Sequence, residues 1–140
     1  MRSPLSQAQL GVYYACEASV DDARNYQNPV LLPLPGDTDT KRVQQAVYDA
    51  LCAHPYILGH IEPDGENITP VLSYGEGKTP VVEVKTVSEA EWEEVQKTFA
   101  RTMDIHGERL YRAEIYQMVN GKCPIQRSRS FDRREIRNCK

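Results

Sequence analysis

Pro80-Val81-Val82-Glu83-Val84-Lys85-Thr86-Val87-Ser88-Glu89-Ala90-Glu91-Trp92 changes its hydrophobic period in the middle. Up to Val87 the residues alternate, Val82 and Val84 against Glu83 and Lys85, as a half-buried strand requires. From Ser88 the spacing becomes helical. Ser88 and Glu91 form a capping box, in which the serine oxygen and the glutamate carboxylate each satisfy an otherwise orphaned N–H. Val87 and Trp92 flank the box at the positions of a hydrophobic staple. Trp92, Val95, Phe99 and Met103 continue one buried stripe, a core feature rather than a cofactor site. A second strand over residues 110–119 follows, with Leu110, Ala113, Ile115 and Met118 apolar. A strand handing over to a capped helix and then to another strand is an α/β unit.

Outward from this unit the alternation of helices and strands continues. The clearest helix covers residues 37–53, where Val43, Ala46, Val47, Ala50, Leu51 and His54 recur at the helical period. Thr38 or Asp39 can cap it. His54-Pro55 ends it, because the residue before proline is pushed out of the helical region. Residues 56–62 read as a strand, Pro63-Asp64-Gly65-Glu66 as a turn and residues 67–74 as a second strand, so the pair is a hairpin. Gly75-Glu76-Gly77-Lys78 is a loop. Near the start, residues 6–18 read as a helix capped by Ser6, with Leu10, Tyr13 and Tyr14 on one face. Gly11 costs that helix about 1 kcal/mol relative to alanine. Residues 20–28 read as a polar loop. Residues 29–36, Pro-Val-Leu-Leu-Pro-Leu-Pro-Gly, read as a short strand whose prolines place it at an edge or limit its length. The order α, β, α, β, β, β, α, β predicts an α/β sandwich with helices packed on a mixed sheet.

Composition bounds the rest. A chain of 140 residues makes one domain the default. Its 40% hydrophobic content supplies material for one core. The net charge of -3 argues against a dedicated nucleic-acid binder. No apolar run reaches the roughly 18 residues of a membrane span. Met1 to Gln7 holds no apolar signal core, so a cytoplasmic setting without membrane contact is expected. Cys16, Cys52, Cys123 and Cys139 form no Cys-x-x-Cys pair. Reduced thiols are the plain reading and a disulfide framework the alternative. His54, His60 and His106 make no metal-ligand array, so no metal site is expected. Nucleotide-binding glycine motifs and a Gly-x-Ser-x-Gly elbow are absent.

Charge is unevenly spread. Residues 1–119 hold 10 Lys+Arg against 18 Asp+Glu, a balance of −8. Residues 120–140 hold 7 basic residues against Asp132 and Glu135, a balance of +5. Hydrophobic periodicity stops at the same point. Such a break marks an interaction tail, a solvated unstructured end, or a segment foreign to the domain.

Three stretches resemble the opening of a non-ribosomal peptide synthetase condensation domain. Leu5-Ser6-Gln7-Ala8-Gln9-Leu10-Gly11-Val12-Tyr13 is similar to the family's first helix with its Ser-x-Ala-Gln core. Tyr26-Gln27-Asn28-Pro29 entering a strand, then the helix ending Ala53-His54-Pro55-Tyr56, is the second. Met103-Asp104-Ile105-His106-Gly107-Glu108-Arg109-Leu110-Tyr111-Arg112-Ala113 is similar to the family's Phe-Asp-Leu stretch leading into a Leu-x-Arg strand. It departs from the family in having Met103 for Phe and no proline before it. The stretches fall in order across residues 3–119.

The resemblance implies the incomplete N-terminal lobe of a chloramphenicol acetyltransferase-like αβα sandwich over residues 1–119. Residues 120–140 would be a basic tail, disordered or frame-shifted. The family joins an amine and a thioester, each held on the phosphopantetheine arm of a partner carrier protein. Its His-His-x-x-x-Asp-Gly motif supplies an imidazole that takes a proton near neutral pH or positions the amine. That motif should follow the strand ending near Val119, but residues 120–130 contain no histidine. The expectation is therefore a chain with no catalytic, cofactor-binding or metal residues of its own and no acyl-transfer activity alone. A frameshift, a mispredicted exon boundary or a truncated gene accounts for the break. The alternative is a small non-catalytic interaction protein whose basic tail binds an acidic partner or RNA.

Several residues invite a sharper reading. His60-Ile61-Glu62-Pro63-Asp64-Gly65 spells His-x-x-x-Asp-Gly with Gly59 in place of the first histidine. A strand followed by an Asp-Gly turn explains it without catalysis. His54 reads as a hydrogen-bonded helix-end residue. Cys52 reads as a small buried hydrophobe rather than a nucleophile. Arg112 reads as the structural partner of Asp104 or Glu114, ahead of a substrate contact. Glu89, Glu91, Glu93 and Glu94 read as a solvated face with charge well placed at a helix start.

Overall fold

The computed structural model describes residues 1–65, 69–75, 77–99, 103–107 and 109–119. Their elements run β1 Arg2–Pro4, α1 Gln7–Ala18, α2 Val20–Asn25, α3 Thr40–Ala53, β2 His60–Pro63, β3 Pro70–Ser73, β4 Glu83–Val87, α4 Glu89–Lys97 and β5 Glu114–Met118. The expected basic tail, 120–140, lies outside the described residues. The class is mixed α/β, but the strands form two sheets rather than one. β1, β3 and β2 make an antiparallel sheet in that order, and β4 pairs with β5 in parallel.

In the β4–α4–β5 unit the cap and staple form as the sequence predicts, but the strand's expected inward side does not: Val84 is 38% exposed, and the face that packs carries Lys85 and Val87. Ser88 caps α4, its hydroxyl accepting from the Glu91 N–H, while the Glu91 carboxylate accepts from the Ser88 N–H at 2.7 Å. The staple residues Val87 and Trp92 are both buried. The register runs from Glu83 opposite Glu114 to Val87 opposite Met118. Because side chains alternate along a strand, Glu83, Lys85, Val87, Glu114, Tyr116 and Met118 share one face. Trp92 of α4 packs on that face, its ring 5.4 Å from that of Tyr116. The opposite face carries Val84, Thr86, Ile115 and Gln117. There α3 docks, with Thr40 Oγ1 donating to Gln117 Oε1 at 3.1 Å and Gln44 Nε2 donating to the Val82 carbonyl at 2.9 Å. Two helices thus cover opposite faces of a two-stranded layer.

α3 starts where its cap dictates: Asp39 Oδ1 accepts from the Lys41 and Arg42 N–H groups. Its predicted stripe is only partly covered. Leu51 is buried, Val43 and Val47 are half-buried, and Ala46, Ala50 and His54 are exposed. α1 begins at the Ser6 cap, and Gln9 completes a second capping box. The predicted hairpin is present as β2 and β3, antiparallel with His60 opposite Ser73.

Three expectations need correction, and one element falls outside the sequence reading. Residues 56–59 are not strand: the Ile57, Leu58 and Gly59 N–H groups return to the carbonyls of His54, Pro55 and Tyr56, so the chain turns before β2 starts. Residues 20–25 are helical rather than loop, with Ala23 buried and its N–H on the Ser19 carbonyl. Residues 29–35 form no strand. Pro29, Pro33 and Pro35 lack the N–H that a ladder needs, and Val30 and Leu32 are each 74% exposed. Finally β1, three residues without a hydrophobic pattern, is ordered by β3, which supplies its ladder partners.

Candidate functional site

A cleft of about 870 Å³ lies between the 26–36 segment, Val43 and Val47 of α3, Trp92 of α4, and β5. Its lining is mixed: valines and leucines supply apolar surface, and Gln27, Asn28, Thr38, Thr40 and Gln117 supply polar groups. Arg112 and Glu114 are its charged side chains, and no described lining residue is a histidine. A cavity of this size and character suits an organic ligand or a packed chain segment.

The polar centre nearest the cleft is built by strand register. Glu83 and Glu114 stand directly opposite each other, a like-charge pair that would repel. Lys85, two residues along the same face, pairs with both and offsets one of the two charges. Its Nζ lies 2.7 Å from Glu114 Oε1 and 3.2 Å from Glu83 Oε2. The Tyr116 hydroxyl donates to the other Glu114 oxygen. The Glu114 hydrogen bond raises the Lys85 pKa above 10.5; burial opposes this, and Glu83 adds to it. Lys85 is therefore held as an ammonium at neutral pH. It cannot serve there as a neutral nucleophile or proton acceptor. Sequence reading missed this cluster because pairing between β4 and β5 is non-local. The alternation of Glu83 with Lys85 and Glu114 with Tyr116 was the available signal.

The residues singled out from sequence do not converge. His60 lies on β2, and its Nε2 is 3.5 Å from Glu62 of the same strand. Asp64, the acid of the His-x-x-x-Asp-Gly string, faces Arg2 instead, at 3.7 Å. Arg2 also donates to Glu62 at 2.7 Å. Gly59 is tightly enclosed: a Cβ there would meet Leu72 Cδ1 at 2.9 Å and the Ser73 and Tyr56 carbonyls at 3.1 Å. With His60 beside Glu62 and Asp64 turned to Arg2, the string reads as a strand and its turn.

His54 is the C-cap of α3, its N–H bonded to the Leu51 carbonyl. Cys52 is exposed, not buried as expected, because the α3 stripe that packs is the one through Val43, Val47 and Leu51. His106 bonds Glu17 of α1 at 2.6 Å, and its N–H donates to Asp104 Oδ1. Arg112 donates to the Phe99 carbonyl at 3.4 Å. Glu89, Glu93 and Glu94 are exposed on α4, as a solvated face requires. Among the described residues no three His, Cys, Asp or Glu side chains are grouped to hold a metal ion, and no helix is long and apolar enough to cross a membrane.

No known protein family, curated protein or solved structure matches the chain.

Proposed function

We propose that residues 1–119 derive from the opening of a non-ribosomal peptide synthetase condensation domain, in the chloramphenicol acetyltransferase-like superfamily. The observation that carries the reading is the ordered series of three stretches at residues 5–13, 26–56 and 103–113. Structural support for the stretches is limited to the two helices: α1 is capped at Ser6 and α3 ends at Ala53, inside the first and second stretches, while residues 29–35 and 110–112 are not strand. Helices on both faces of the β4–β5 layer accord with an αβα lobe.

The reaction of that family needs two parts. Carrier proteins bring an amine and a thioester together on phosphopantetheine arms, and proximity then supplies much of the rate. An imidazole at the junction handles the proton released as the amide forms. This chain holds the first lobe's opening and no imidazole on the described lining of its cleft. It acts in the cytoplasm as a non-catalytic remnant that leaves acyl transfer to other polypeptides.

The test is the nucleotide sequence after codon 119, read in the other two frames. A histidine pair followed by three residues and Asp-Gly is expected there. Its absence from both frames would overturn the frameshift account of the break. In a parallel assay the purified chain, offered aminoacyl thioesters on carrier proteins, should form no dipeptide above background. His60→Ala should leave that blank unchanged. Turnover by the unaided chain would refute the inactive reading.

A further inference from the structure

We draw no further inference here: the strongest candidate, the cleft of mixed polarity between the 26–36 segment, α3, α4 and β5, carries nothing because nothing in the structure shows what covers it.

Discussion

Gly59 and Lys85 show how single positions set the limits of this molecule. At Gly59 the obstruction is mostly carbonyl oxygen, which cannot rotate away as a side chain can. Gly59→Ala should cost about 1–3 kcal/mol, read as a lower urea midpoint at unchanged slope. An unchanged midpoint would show that β3 is not held where it lies. Lys85 makes a different prediction. A group whose folded pKa is raised contributes fully below its unfolded value and loses that contribution as pH rises through the folded one. The Lys85 contribution is thus complete below pH 10.5 and fades above it. Glu114→Gln should flatten that alkaline loss in urea melts taken on either side of pH 10.5. Lys85→Met should cost about 1 kcal/mol, since the ammonium is partly screened by water. The cost should shrink when Glu114→Gln is added, because Glu114, at 13% exposure, is otherwise left without its cation.

Elements form where local chemistry is complete before tertiary contact. α4 has its cap, its box and its staple within six residues. Ser88→Ala should cost about 1 kcal/mol, visible as a lower melting temperature. Glu91 carries the same box into a pH effect. Hydrogen bonds from the Ser88 N–H and hydroxyl lower its pKa below 4.5. A lowered folded pKa gives stability that is present above the unfolded value and lost as pH falls through the folded one. Glu91→Gln should therefore reduce stability at neutral pH and make the acid limb shallower, from pH 4.5 downward. A limb unchanged in shape would show the box is not formed in solution. Such self-contained elements were legible in the sequence: α1, α3, α4, β4, β5 and the β2–β3 hairpin all appear near their predicted places. Two misreadings were local, the α2 helix and the turn at 56–59; others lie where distant partners decide. β1 exists through β3, while residues 29–35 have strand-forming side chains but prolines that withhold donors. The Lys85–Glu114–Tyr116 cluster depends on a register that no local pattern announces. Cys52 was misplaced because α3 packs through a narrower stripe than its apolar residues suggest.

The described residues are loosely packed. Leu5, Ala23, Leu51, Leu58, Val87 and Trp92 are buried among them, and none of the described side chains is fully enclosed. Val30, Leu31, Leu32 and Leu34 stand exposed beside the cleft. Contiguous apolar surface of this kind drives association. The chain should therefore melt broadly and associate at micromolar concentration. Leu32→Ser, at a site 74% exposed, should raise the soluble fraction and shift the melting midpoint by no more than about 0.5 kcal/mol in free energy. A sharp, cooperative melt of wild-type monomer would contradict this account. One further consequence lies in the bond from the Val119 N–H to the Val87 carbonyl, 3.1 Å long. It is the final described rung between β4 and β5, and the composition changes at the very next residue. The described rungs that set β5 in place are thus encoded upstream of the change. A chimera joined at position 120 would keep every one of them, whatever polypeptide followed.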